Sequence, residues 1–369
     1  MRNLLAPLAV AVMTLTVLSG CSTPQAPVEA PPIVAPAGPD PAAYVVPPVP
    51  HVDAAALLAD HAAFVTKNNL RADNVPTHES ARVDLLAHFA SYGLDTYRFN
   101  FTTGIPQADI MGVKWGVDRE HWVFVGGHYD TTTWDKAATH SMGDSAVSQG
   151  AYDDGSGTMI AVHLAKAFSN VTPYYTIAFV AYDGEERGIQ GAAAIVDDVT
   201  GGNSTVAAHF GVPRITIVGD LDLDMVGINW PGTSAPIDLM TNSKAQSAQI
   251  HAQWKKLGYP DNQLIEKDGL KLGSSDYSAF WRQDQPTIPT VFFISDFEEI
   301  GVGSAPDAVQ TPFGAYPFWH MTDTVETMTA MAGGPGPLEQ GFDTAANLGA
   351  FVVHSMACQP LVKLDAVAR

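Results

Sequence analysis

Apolar and polar residues along this chain follow two rhythms: helical spacing, and the short dense runs of buried strands. Residues 52–68 and 79–92 carry apolar positions at helical spacing, with Asp53 and Thr77 standing where N-caps belong. The alternation in TYRFNFTT, residues 96–103, predicts a strand. Four short apolar runs follow: WVFVGG before His128, YTIAFVAY before Asp183, RITIVGDLDL before Asp224, and TVFFI near residue 290. Such runs are the strands of a mixed sheet buried on both faces. Helical patterns separate them at 157–169, 190–199, 242–257 and 342–356. The order predicts an α/β fold, a central mixed, mostly parallel sheet sandwiched between helices, with functional side chains collected at the carboxyl ends of strands.

The N-terminus breaks this pattern. Arg2 precedes an apolar stretch over residues 4–18, too short to span a bilayer, and Leu18-Ser19-Gly20-Cys21 follows. The segment resembles a bacterial lipoprotein signal, which implies a signal peptide over residues 1–20 and lipid on the thiol of Cys21. Residues 21–50 are rich in Pro and Ala and nearly uncharged, the composition of a semi-rigid tether. Residues 51–369 are expected to form a single globular domain, lipid-anchored in the cell envelope outside the cytoplasm. The only other cysteine, Cys358, sits in the apolar run FVVHSMAC and is expected to be a buried thiol. With 39 acidic and 19 basic residues the formal charge is −20, which argues against a nucleic-acid partner.

The chemistry lies in five potential metal ligands: His128 in GGHYDT, Asp153 in GAYDDGSG, Glu186 in AYDGEERG, Asp224 in DLDLDMVG and His320 in FWHMTDT. Two imidazoles and three carboxylates suit a pair of zinc ions, one ligand bridging them. Asp153, in a tight Gly-rich turn, could place one oxygen on each metal, while Asp154 or Ser156 could cap the following helix. Asp130 is placed to orient His128 by accepting its second N–H. Glu185 beside Glu186 is the natural general base. Strict strand geometry would turn these two to opposite faces, but Gly184 predicts a chain already turning. The acids at 220, 222 and 224 lie among apolar residues, so at least one is expected to meet a cation. His163 and His354 are expected to be structural. The five ligands lie 25, 33, 38 and 96 positions apart, so they can meet only across neighbouring strands.

The ordered set HYDT, YDDGSG, DGEERG, LDMVG and WHMTDT, with SSDYSAFW at 274–281, resembles the M28 family of zinc metallopeptidases over roughly residues 80–355. The resemblance implies an aminopeptidase-like hydrolase with two zinc ions acting on peptide or protein substrates. It implies His128 and Asp224 as terminal ligands of one zinc, Glu186 and His320 of the other, and Asp153 as the bridge. Glu185 would be the base and Asp130 the partner of His128. The chain departs from the family pattern in three places: the loop after His320 is one residue shorter than usual, Trp319 replaces a Tyr found in some members, and Tyr277 stands where many have His. Two further readings are a glutaminyl cyclase-like aminoacyltransferase with one zinc, and a catalytically silent binding lipoprotein.

Overall fold

The structure is a computed structural model. It describes residues 40–132, 149–228, 237–259, 264–266, 275–281, 288–295 and 323–360, together with the backbone of 134–135, 140–141, 310–311 and 314–315. The eight strands of its main sheet are β1 (Asp95–Thr102), β2 (Pro106–Lys114), β3 (Asp118–His128), β4 (Tyr175–Tyr182), β5 (Thr216–Leu223), β6 (Ile237–Thr241), β7 (Leu264–Glu266) and β8 (Thr290–Ile294). They lie in the order β1-β2-β4-β3-β5-β8-β6-β7. β4, β3, β5 and β8 run parallel, flanked by antiparallel pairings of β2 with β4 and of β6 with β8. This is the expected mixed sheet with a parallel centre.

Alternation along the central strands decides which helices cover which face. On β3, Val123 and Val125 join Ile177, Phe179, Leu221 and Leu223 in a core beneath α1 (Ala54–Lys67), α2 (Pro76–Ser91), α3 (Gly155–Phe168), α6 (Lys244–Lys256), α8 (Val325–Met331) and α9 (Pro335–Ala357). Trp122 and Phe124 face the other way, with Ala178 and Val180, beneath α4 (Gln190–Thr200), α5 (Thr205–His209) and α7 (Tyr277–Phe280). Burying each of these large side chains contributes about 1.5–3 kcal/mol, so a one-residue slip of β3 would exchange two complete cores.

Asp53 caps α1, its carboxylate accepting from Ala56 N–H at 3.1 Å. Thr77 does not cap α2. The helix begins one residue earlier at Pro76, whose fixed φ suits the first turn, and Thr77 Oγ1 donates instead to the carbonyl of Leu70. β2, β6 and β7 were not among the predicted strands. Residues 44–52 run beside α9, antiparallel to it: Tyr44 OH donates to the Cys358 carbonyl at 2.9 Å, His354 Nε2 to the Pro47 carbonyl at 2.7 Å, and Asn347 Oδ1 accepts from Val52 N–H at 3.0 Å. Cys358 is buried, and His163 pairs with Asp60 at 3.0 Å.

Candidate metal centre

Three adjacent parallel strands deliver the site. His128 ends β3; on one side β4 runs into Asp183, Glu185 and Glu186, and on the other β5 runs into Asp224. Asp153 arrives from the turn before α3. Side-chain-free positions let these segments converge: a Cβ on Gly127 or on Gly157 would lie 2.5 Å or 2.0 Å from the carbonyl oxygen of Leu223. After β4 the chain turns at once, Gly184 adopting φ 72° ahead of a short 3-10 helix, Glu185–Arg187. That turn allows neighbouring glutamates to serve one site.

One donor atom each from His128, Asp153 and Asp224 lies within 4.8 Å of the others. His128 is fully buried. Its Nε2 is 3.1 Å from Asp153 Oδ1, 3.7 Å from Asp224 Oδ1 and 3.9 Å from Glu185 Oε2. On its other side, Nδ1 donates to the main-chain carbonyl of Asp130 at 3.2 Å, with the Asp130 carboxylate at 3.4 Å. Asp130 therefore holds the ring mainly through its backbone. Its carboxylate accepts the N–H groups of Glu185 and Glu186 at 3.1 and 3.3 Å and so fixes the acid pair. Glu186 is not part of the tight trio, but Asp153 is its strongest charged neighbour. His320 and Cys21 lie outside the described residues, as does Trp319. Tyr277 opens α7, its N–H donating to Asp222 at 2.7 Å.

The cluster has the electrostatics of a cation site. Burial pushes Glu185 up to about 8 and Glu186 well above the usual range, and in both the neighbouring carboxylates add to the rise. Burial alone would lower His128, yet Asp130, Asp153, Asp224 and Glu185 hold it well above its ordinary value. Among the described residues, His128 Nε2 and Asp224 Oδ1 are both buried without a hydrogen-bond partner. Ligands of a tetrahedral zinc, at about 2.0–2.2 Å from the ion, lie roughly 3.3–3.5 Å apart. The observed 3.1 and 3.7 Å straddle that spacing, and one imidazole with carboxylates is a zinc-type donor set. The residues present fit the ion.

Several residues behind the site were not assigned a role from sequence. The turn carrying Asp153 is held through its backbone by buried side chains. Arg71 donates to the carbonyls of Gln149 and Gly150 at 2.5 and 2.9 Å, and His61 to that of Ala151 at 2.7 Å. Asp323 accepts from Tyr152 and Asp153 N–H, each at 2.8 Å. Asp154, one of the two caps expected from the sequence, does cap α3, accepting from Gly157 N–H at 2.8 Å. Under the acid pair, Asp183 accepts from Arg82 Nη2 at 2.7 Å, Tyr129 OH at 2.8 Å, and His78 Nε2 and Ala108 N–H at 2.9 Å. Burial would raise this carboxyl, but His78 and Arg82 hold it down at about 2. The available signal was spacing: His78 and Arg82 stand four apart, on the helix face that also carries Ala81, Leu85 and Phe89.

The family model described as peptidase family M28 matches residues 110–330. A "Probable zinc metalloprotease" of Pyrenophora teres f. teres is 30% identical over 139 residues, which is 38% of this chain and 26% of that protein. The chain thus spans about a quarter to a third of the first curated relatives it matches. Among solved structures, a zinc aminopeptidase from Bacillus subtilis aligns with a TM-score of 0.60 and 15% identity, covering 84% of this chain and 97% of that one. The glutaminyl cyclase of Porphyromonas gingivalis aligns at 0.59 and 15%, covering 83% and 99%. At these identities the likeness is one of fold.

Proposed function

Because the chain belongs to peptidase family M28, we propose that it hydrolyses peptide bonds from the N-terminal end of peptides, with two zinc ions bound at the strand ends. The observation that carries the reading is the pair of buried atoms, His128 Nε2 and Asp224 Oδ1, that make no hydrogen bond among the described residues and lie together beside Asp153. His128 and Asp224 would hold one ion and Glu186 and His320 the other, with Asp153 shared between them. Zinc supplies Lewis acidity, which polarises a scissile carbonyl and acidifies water.

The chain's own residues do the rest. Glu185, turned toward the cluster, takes the proton of the attacking water and returns it to the leaving amine. Asp130 keeps Glu185 and Glu186 in place through their N–H groups and presents Nε2 of His128 to the metal by engaging Nδ1. Arg71, His61 and Asp323 fix the turn that aims Asp153. We further propose attachment to a membrane through lipid on Cys21, which predicts that Cys21→Ser releases the protein into the soluble fraction.

Metal analysis of the purified protein is expected to give two zinc ions per chain. Free aminoacyl anilides should be cleaved, N-blocked peptides should not, and a chelator should stop turnover. The fold shared with glutaminyl cyclases supplies the alternative outcome. One zinc per chain, with cyclisation of N-terminal glutamine and no peptide hydrolysis, would replace this reading.

A further inference from the structure

A polar cleft of about 230 Å³ opens beside the cluster, lined by residues 72–75, Asp130, Thr131, Thr132, Glu186 and Arg187. It adjoins the metal centre directly, since Asp130 and Glu186 belong to both. Its volume is below the roughly 300 Å³ of pockets that enclose drug-sized ligands, so it suits one residue of a peptide and not a long stretch.

The charges in this cleft are not equally occupied. Asp130 accepts two backbone N–H groups, and half-buried Glu186 has Asp153 as a charged neighbour. Arg187 is different. Its Nε pairs with Asp73 Oδ2, while its side chain is 47% exposed. The backbone beneath it is firmly set: Arg187 lies in the 3-10 helix between Gly184 and Gly188, both left-handed, and its carbonyl accepts from Gln190 Nε2 at 3.2 Å. Asp73 thus sits against a half-exposed guanidinium in the cleft beside the metal ligands. A planar fork held in this way is built for a carboxylate, because two parallel N–H groups match its two oxygens and part of the ordering cost is already met.

We propose that Arg187, oriented by Asp73, binds a carboxylate carried by a residue flanking the scissile bond, so that the chain prefers anionic short peptides. The inference rests on the peptidase reading above. The carboxylate could be the C-terminus of a dipeptide, the side chain of an acidic second residue, or that of an acidic first residue. Three substrate pairs separate these sources: Leu-Gly against Leu-Gly-amide, Leu-Asp-amide against Leu-Asn-amide, and glutamyl against glutaminyl p-nitroanilide. In at least one pair the zinc-loaded enzyme should favour the carboxylate by about 10- to 100-fold in kcat/KM, mostly through KM, the range of a charge-assisted bidentate contact.

In Arg187→Gln that ratio should fall to within about twofold, and Arg187→Lys, which keeps the charge but not the fork, should recover only part of it. A ratio measured within one variant cancels any loss of folded protein. Preference for the carboxylate that survives in Arg187→Gln overturns the assignment, and so does a wild-type enzyme that shows no preference in any pair while cleaving leucyl p-nitroanilide. Failure to cleave any of these substrates at full zinc content overturns the peptidase reading, and this inference with it.

Discussion

Two groups of buried acid lie side by side at the end of β4, and the protein treats them oppositely. Asp183 receives four donors, one of them the guanidinium of Arg82, and its carboxyl is held at about 2. Two residues further on, Glu185 and Glu186 join Asp153 and Asp224 around the imidazole of His128, and both glutamates are pushed upward. Arg71 is buried nearby, yet its donors go to backbone carbonyls and not to these carboxylates. One group is closed by the chain's own cations. The other, among the described residues, is left short of positive charge at the point where the strand ends converge. Burying charge without a partner is costly, so the second arrangement makes sense as a receptacle for metal, while the first is the support on which it stands.

That contrast can be broken from either side. The largest effect is expected from Glu185→Gln, which should lower turnover by about a thousandfold or more while metal analysis still finds zinc bound. Arg82→Met attacks the closed group, removing the guanidinium that pairs with buried Asp183, and should cost about 3–5 kcal/mol of stability in chemical denaturation. Equal loss of stability in both variants would erase the distinction drawn here.

A third test uses pH. His61, fully buried against the turn that carries Asp153, is lowered to about 4 by burial, an effect that the nearby charge of Arg71 reinforces. The folded state therefore takes up this proton less readily than the unfolded chain does. Stability should be fully present above about pH 6.5 and fall by about 3 kcal/mol as pH drops to 4. Denaturation curves of the wild type and His61→Gln at pH 7, 5.5 and 4 would show this as a slope that the variant lacks. The smallest effect is expected from Asp130→Ala, which should weaken zinc binding about 10- to 100-fold in competition with a chelator. Unchanged affinity would mean that the backbone carbonyl of Asp130 suffices to hold His128.

The parallel centre of the sheet was legible because β3, β4, β5 and β8 are apolar runs, each flanked by turn residues. The convergence of His128, Asp153 and Asp224 could be anticipated because His128 and Asp224 end or follow such a run and Asp153 lies in the Gly-rich turn before the next helix. β2 was harder to see. PQADIMGVK has Pro, Gly and buried polar residues, so it shows neither alternation nor a continuous apolar run, although nearly all of it is buried. Thr77 was misleading because Pro76 gave the helix an earlier start. Arg71, Arg82 and His78 escaped notice because a buried cation and an exposed one look alike in sequence, and only the partner across the fold tells them apart. Arg187 stood in plain view within DGEERG, but the meaning of its charge depends on Asp73, which lies 114 positions earlier.

The strand of chain laid against α9 has a mechanical consequence. Its attachments at Tyr44, Pro47 and Val52 meet the helix at Cys358, His354 and Asn347, so the segment enters at the helix's far end and runs back along it. Tension applied to residue 40 in the direction of that end loads the three attachments in shear, together, instead of peeling them off one at a time. α9 is the longest helix among those described, so such a pull is spread over a broad part of the core before it reaches α1.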